Sequence, residues 1–181
     1  MLSENKKEFV KKIPKKITPQ RLKNIALFYL KRFETSETGL KNVLKRRVDD
    51  YAYFDKDFDK FTAYQWIDDL VADFVRLKYV DDERFAEIKI RGYLAAGKSP
   101  RYILIKLREK GIDDILANQL LGEQEFDEFE SALKLAKKKK IGPFLSDLSV
   151  KRERRNKDLA ILIRAGFNYD IALKVLDWEE V

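Results

Sequence analysis

Residues Gly92 to Ser99 match the motif G-x-x-x-x-G-K-S, which in other proteins forms a loop that binds nucleotide phosphates. That chemistry needs a turn from strand to helix, in which consecutive backbone N–H groups point at the phosphates. Here the four intervening residues favour helix and continue an amphipathic pattern that starts at Asp82. Gly97 is better explained as a helix stop, and Ser99 as the cap of the next helix. We therefore predict no nucleotide loop here and no ATPase activity that depends on Lys98.

Other residues that could carry catalysis are scarce. The chain has no histidine and no cysteine, so it lacks the commonest general base and all thiolate chemistry. Its paired carboxylates lack the spacing of a calcium-binding loop, and at least two pairs fall where helices begin. The four pairs are Asp49-Asp50, Asp68-Asp69, Asp81-Asp82 and Asp113-Asp114. These features predict a protein that is not an enzyme and has no catalytic site, metal or cofactor.

Three stretches of the chain repeat one helical pattern with a period of about 50–60 residues. Each copy reads as a helix, a short break, a second helix, a sharp stop and a third helix. The break falls near Ser36 in the first copy and at Ser99-Pro100 in the second, whereas the third copy is more diverged. The pattern predicts an all-α fold, an elongated array of three tandem three-helix repeats over residues 18–80, 81–122 and 123–181.

Two segments depart from the repeat. Residues 1–17 contain six lysines and few apolar side chains, which predicts a mobile basic arm. The segment from Asp49 to Phe61 interleaves five aspartates with aromatic residues. We interpret it as an insertion that breaks the helical pattern and packs its aromatic side chains back on the bundle. Contact with a partner is the alternative for this acidic and aromatic mixture.

The compartment can also be predicted from the chain. No apolar run approaches the ~18–20 residues that a helix needs to span a bilayer. The first residues include lysines but lack the apolar segment of a secretion signal. We therefore expect a cytoplasmic protein with no membrane contact.

The net charge of +7 is distributed in alternating bands. Residues 1–48 carry +10, residues 88–112 carry +6 and residues 134–166 carry +8, and the bands between them are acidic. Because each basic band includes the second helix of a repeat, the bands can form a discontinuous basic stripe that suits a polyanion. Helix faces charged only for solubility are the alternative. The residues predicted to face phosphates or acidic groups are Arg101, Lys106, Arg108, Lys110, Lys137, Lys138, Lys139, Lys140, Arg152, Arg154 and Arg155.

The second copy is the most distinctive part of the chain. Its diagnostic residues are Leu77-Lys78-Tyr79-Val80-Asp81-Asp82-Glu83-Arg84-Phe85-Ala86, then Arg91, Gly97, Arg101, Ile103, Leu107, Lys110 and Gly111. This pattern resembles the central signature of the RecX family, and looser matches in the other copies extend the resemblance over roughly residues 20–178. At Gly39 the family usually carries an acidic helix former, so we expect this glycine to weaken its helix by up to ~1 kcal/mol relative to alanine.

The resemblance implies a function. Members of the RecX family are built from tandem three-helix repeats and regulate the recombinase RecA. The implied partners are the RecA filament and single-stranded DNA, contacted directly or through the filament by a monomer. The implied effect is mostly inhibition of ATP hydrolysis, strand exchange and co-protease activity, in recombination, DNA repair and the SOS response. The regulator itself would catalyse nothing.

Two further hypotheses come from other classes of protein. A helix-turn-helix protein would read duplex DNA by presenting Asn, Gln or Arg side chains to base edges. The candidate helices carry mostly Lys, Arg and aliphatic residues, which suits phosphate contact better than base readout. A helical scaffold that binds only proteins is the other hypothesis, and weak salt sensitivity of its partner binding would favour it.

Overall fold

A computed structural model describes residues 14–179, and this part of the chain is helical without a β-strand. Its helices are α1 (Pro19–Leu30), α2 (Glu37–Phe54), α3 (Lys60–Arg76), α4 (Asp82–Ala95), α5 (Pro100–Arg108), α6 (Asp114–Gly122), α7 (Glu128–Lys139), α8 (Lys151–Arg164) and α9 (Tyr169–Leu176). Two turns of 3-10 helix, Gly142–Phe144 and Leu148–Val150, join α7 to α8. The chain divides after Val80 into two compact units, with α1–α3 in one and α4–α9 in the other. None of the helices described is both long and apolar enough to cross a membrane.

The first unit is a three-helix bundle whose helix starts are fixed by side-chain caps. Thr18 accepts a hydrogen bond from the Arg21 N–H at 3.2 Å, and Ser36 accepts one from the Gly39 N–H at 3.0 Å. Asp59 caps α3 in the same way. Each cap satisfies backbone donors that have no partner within the helix. The core is built from buried side chains at helical spacing, among them Leu22, Ala26, Leu40, Leu44, Val48, Ile67 and Val71.

The predicted insertion from Asp49 to Phe61 is mostly helix. Helix α2 continues through Phe54, so residues 55–59 alone separate it from α3. The helix continues because Val48 and Tyr51 are both buried at a spacing of three residues, which keeps the apolar stripe on the core. The prediction that the helical pattern breaks at Asp49 is therefore wrong, because aspartates on the solvent face of a helix do not end it.

The aromatic residues of this segment divide into two groups. Tyr51 and Phe58 pack edge to face with ring centroids 4.9 Å apart, as the predicted return onto the bundle requires. Phe54 is half exposed, with its ring centroid 6.4 Å from that of Tyr51, whereas Tyr53 is 79% exposed and Phe61 is 73% exposed. The packing prediction is wrong for Tyr53 and Phe61, which lie on the solvent side of α2 and α3.

The predicted basic arm over residues 1–17 lies mainly outside the described residues. Within the described part, Ile17 is 4% exposed and belongs to the core of the first unit. A mobile arm can therefore extend only to the residue before Ile17, because burial of this apolar side chain in the core of the first unit stabilises the fold.

Gly39 lies where a larger side chain would clash with its neighbours, which helix propensity alone does not indicate. A Cβ atom at this position would collide with Thr35 Oγ1 and would lie 3.1 Å from Ser36 Oγ. Thr35 and Ser36 are both buried, so neither side chain can move away freely. Alanine does not fit here, and the expected gain in helix propensity over glycine does not apply.

The second group of helices, α4–α6, repeats this organisation within the second unit. Asp81, Ser99 and Asp113 cap the three helices in turn. The core is formed by side chains from all three helices, chiefly Phe85, Ala86, Ile90, Ile103, Leu107, Ala117 and Leu120. Caps and core lie at the spacing that the sequence pattern predicts.

The third group, α7–α9, is held partly by a buried carboxylate. Asp127 and Asn168 cap α7 and α9 by accepting hydrogen bonds from backbone N–H groups of the first turn. Asp158 on α8 is fully buried and accepts a hydrogen bond from the Gly142 N–H at 3.0 Å. This bond ties the irregular link between α7 and α8 to the helix that follows it. The surrounding core includes Ala132, Ala136, Ile141, Leu162, Phe167, Val175 and Leu176.

Candidate partner and nucleic-acid interface

The segment that matches a phosphate-binding loop is the end of a helix. Residues Gly92 to Ala95 are the last turn of α4. Gly97 follows with a φ of +65°, the left-handed conformation that commonly ends helices. Ser99 then accepts a hydrogen bond from the Tyr102 N–H and starts α5. The consecutive free N–H groups of a phosphate loop have no counterpart in this geometry.

The first cluster of candidate contact residues lies on and after α5. Arg101 is exposed in the first turn, and the described part of the chain offers it no ion-pair partner. Lys106 forms an ion pair with Glu109 at 2.7 Å, which raises the pKa of Lys106. Lys110 follows α5 and is exposed. The four cations predicted here are therefore not equivalent.

Arg108 is the most constrained cation of this cluster. Its guanidinium donates two hydrogen bonds to the Asp114 carboxylate, at 3.0 and 2.7 Å. This pair raises the pKa of Arg108 and lowers that of Asp114. A phosphate would have to compete with a carboxylate that already occupies the guanidinium fork. Arg108 is a weaker candidate for phosphate contact than Arg101.

The second cluster is the basic end of α7. Its last turn consists of Lys137, Lys138 and Lys139, and the helix dipole stabilises cations at this end of a helix. Lys140 follows as the C-cap in the left-handed conformation, with φ of 53°. All four side chains are exposed, and none has an ion-pair partner among residues 14–179. Their charge is available to a partner without breaking an existing contact.

The third cluster lies in the first two turns of α8, where two of three arginines are engaged. Arg155 forms a bidentate pair with Asp177 beyond α9, and this pair lowers the pKa of the carboxyl. Arg154 lies 3.6 Å from the buried Asp158 carboxylate. Arg152 is exposed and has no ion pair within the described chain. Arg152 is therefore the free cation of this cluster.

The structure brings together some cations that the charge bands did not connect. Lys138 shares the wall of a cavity of 380 Å³ with Lys98, Lys134 and Arg164. Of this group, the charge pattern of the sequence predicts only Lys138 as a contact residue. Lys134 could have been found from its spacing of four to Lys138 on one helix face. Lys98 and Arg164 could not, because they lie on different elements.

A single hydroxyl connects the second and third helix groups at this cavity. Ser99 Oγ donates a hydrogen bond to the Ala165 C=O at 2.7 Å, across 66 positions of sequence. Gly166 lies against the same hydroxyl, because a Cβ atom there would be 2.6 Å from Ser99 Oγ. The cap of α5 and the end of α8 therefore form one packed junction.

Comparisons with known proteins agree with the helical architecture. The family model described as the second three-helix domain of RecX matches residues 81–121. The chain is 39% identical over 176 residues to the regulatory protein RecX of Myxococcus xanthus, covering 96% of this chain and 94% of that protein. Regulatory protein RecX of Acinetobacter baylyi is 29% identical and is covered over 86% of its length.

A solved structure extends the similarity to three dimensions. The crystal structure of RecX from Lactobacillus salivarius superimposes with a TM-score of 0.64 at 25% sequence identity. The match covers 88% of this chain and 96% of that one. The tandem three-helix fold predicted from the repeats is thereby confirmed. Helical architecture and similarity along nearly the whole sequence lead to one conclusion: the chain belongs to the RecX family of regulatory proteins.

Proposed function

We propose that this chain binds the filament that RecA forms on single-stranded DNA and mostly inhibits its activities. The inhibited activities are ATP hydrolysis, strand exchange and co-protease action. The observation that carries the proposal is the 39% identity to a regulatory protein RecX over 96% of the chain. The chain acts as a cytoplasmic monomer in this scheme and catalyses no step itself.

The charge distribution supports a multivalent mode of binding. Of the eleven candidate cations, Arg101, Arg152 and the four lysines that end α7 have no ion pair among the described residues. Each exposed cation contributes little alone, on the order of 1 kcal/mol or less. Several such contacts on one rigid unit act together, because the first contact raises the effective concentration of the others. Modest individual contacts can thus produce stable binding to a polyanionic filament.

The structure suggests which cations to change in a test. Arg101 and Arg152 both lie in the first turn of a helix, where the helix dipole stabilises a negatively charged glutamate. Arg101→Glu/Arg152→Glu should therefore reverse two charges without destabilising α5 or α8. Lys23→Glu/Arg47→Glu is the matched control, since both residues are exposed inside helices of the first unit, which carries no candidate contact, and the net charge changes equally.

The experiment is a titration of DNA-dependent ATP hydrolysis by the cognate RecA at two salt concentrations. We expect inhibition at well below one chain per RecA monomer, weaker at the higher salt because exposed charges are screened. The Arg101→Glu/Arg152→Glu variant should inhibit much less than the Lys23→Glu/Arg47→Glu control. Absence of any effect at every ratio would contradict the proposed function.

Two other outcomes would identify a different mechanism. Inhibition that disappears when single-stranded DNA is in excess would indicate simple competition for the strand. Saturable preference for one duplex sequence would instead favour the helix-turn-helix hypothesis, since base readout selects sequence and phosphate contact does not.

A further inference from the structure

The cavity of 380 Å³ between the second and third helix groups is lined by cations from three elements. Lys98 comes from the link between α4 and α5, Lys134 and Lys138 come from α7, and Arg164 ends α8. No carboxylate lies among the described residues that line it. The cavity therefore concentrates positive charge in a concave space, which strengthens attraction for an anion relative to a flat surface.

The four cations differ in how far they are engaged. Lys134 pairs with Glu130 at 3.3 Å, and Arg164 Nε donates to the Ala160 C=O at 3.1 Å. Lys98 Nζ lies 4.9 Å from the Tyr102 ring centroid, and Lys138 has no ion pair within residues 14–179. Lys98 and Lys138 can therefore turn toward a ligand without giving up a carboxylate partner.

Apart from the Ser99 hydroxyl, which is already hydrogen-bonded to backbone groups, the remaining side chains of the cavity wall are apolar or aromatic. Ala95, Ala96, Leu135 and Phe167 line it, and Tyr102 adds an aromatic ring. Tyr102 is held edge to face against Tyr93, outside the lining, with centroids 5.7 Å apart. An inorganic anion would use only the cations, whereas a nucleotide has both the flat aromatic face of its base and a charged phosphate.

We infer that this cavity binds one nucleotide, with its phosphate on Lys98 and Lys138 and its base against the apolar wall. The volume of 380 Å³ lies within the range of about 300–1,000 Å³ that small-molecule sites occupy. The inference rests on the proposed function, because that function brings single-stranded DNA to the protein. The geometry is unlike a phosphate loop, since side chains and not consecutive backbone N–H groups meet the phosphate.

The first test measures the affinity of the full chain, without RecA, for a fluorescent oligothymidylate by anisotropy. Ala95→Phe fills the cavity without changing charge, and should weaken binding at least about fivefold because a stacked base contributes a factor of about 5 to 150. Ala96→Phe is the second filling variant if the first fails to fold, as judged by circular dichroism. Wild-type affinity in a folded filling variant would overturn the inference.

The second test concerns the phosphate. Lys98→Gln/Lys138→Gln should flatten the dependence of log affinity on log salt, by about 0.7 for each phosphate that the variant no longer neutralises. Lys157→Gln/Lys174→Gln removes the same charge from exposed positions outside the cavity and should change the slope much less. Equal changes in the two variants would mean general electrostatics and would overturn the site.

Competition experiments identify the source of the nucleotide. Displacement of the oligonucleotide by free thymidine monophosphate supports a site that accepts single nucleotides. If thymidine monophosphate does not displace the oligonucleotide, but Ala95→Phe still weakens oligonucleotide binding, the result supports a site that requires a continuous strand. Inorganic phosphate that competes as well as thymidine monophosphate would contradict any role for the apolar wall. Because RecA is absent from these assays, their failure is distinguishable from failure of the filament proposal.

Discussion

Replacing Ser99 with alanine removes two hydrogen bonds made by one hydroxyl. Ser99 Oγ accepts from the Tyr102 N–H at 3.2 Å and donates to the Ala165 C=O at 2.7 Å. Loss of a helix N-cap costs about 1 kcal/mol, and loss of the bond to the carbonyl costs about 1 kcal/mol more. Ser99→Ala should therefore lower the free energy of unfolding of the second unit by about 2 kcal/mol.

Asn168→Ala provides a matched control in the same unit. Asn168 caps α9 by accepting one hydrogen bond from the Asp170 N–H at 3.2 Å. Its replacement removes a cap alone and should cost about 1 kcal/mol. The difference between the two variants isolates the bond that joins the second and third helix groups.

Urea unfolding followed by far-ultraviolet circular dichroism measures both variants. With an m-value of about 2 kcal/mol/M, the unfolding midpoint should fall by about 1 M for Ser99→Ala and about 0.5 M for Asn168→Ala. Equal shifts in the two variants would refute the claim that the bond to Ala165 contributes stability beyond the cap.

Further predictions concern glycines and an ion pair. Gly166→Ala should destabilise the second unit by roughly 2 kcal/mol or more, because Gly166 has a φ of +91° and its new Cβ would crowd Ser99. Gly92→Ala, in the last turn of α4, meets nothing within 4 Å and should stabilise the unit by up to ~1 kcal/mol. Thermal unfolding distinguishes the two variants, and a raised midpoint in both would contradict the predicted crowding at Gly166. Gly39→Ala should lower the stability of the first unit despite better helix propensity, and a raised midpoint would count against the clash. Arg155 lowers the pKa of Asp177, so their pair stabilises the fold above about pH 4 and loses this contribution as the pH falls through the lowered pKa. Asp177→Asn should accordingly lower stability at neutral pH and converge with the wild type in acid; a difference independent of pH would exclude this linkage.

Helix starts could be predicted from the sequence because a cap acts within one turn. Ser99 caps the helix that follows it, as predicted, and Thr18 and Asn168 do the same, each through a bond to an N–H two or three residues ahead. The side chain, its acceptor role and the apolar stripe after it are all visible in a window of a few residues. The fold class could be predicted as well, because the same combination of a cap and an apolar stripe recurs along the chain.

Relations between distant residues could not be predicted in this way. The pairing of Arg155 with Asp177 spans 22 positions, and no local pattern distinguishes it from an arginine free to bind a partner. Lys98 and Arg164 meet at one cavity only because the end of α8 packs on the cap of α5. The sequence shows the charge of each residue, whereas the fold decides which charges already have a partner.

The course of Asp49 to Phe61 was mispredicted for a different reason. Its aspartates and aromatic rings favour an irregular insertion by composition, yet α2 runs on to Phe54. Burial of Val48 and Tyr51 keeps the helix in register with the core, so tertiary packing outweighs local composition. The loop between α2 and α3 is accordingly short, spanning residues 55–59.

Direct binding to the filament tests the central claim most sharply. The chain has no cysteine, so a fluorophore on Lys23→Cys labels one exposed site on α1, in the unit that carries none of the candidate contacts. Its anisotropy can be titrated with RecA assembled on single-stranded DNA, with the bare strand and with RecA alone. We predict tighter binding to the assembled filament than to either component. Equal affinity for the filament and the bare strand, or no binding to the filament, would contradict regulation through the filament.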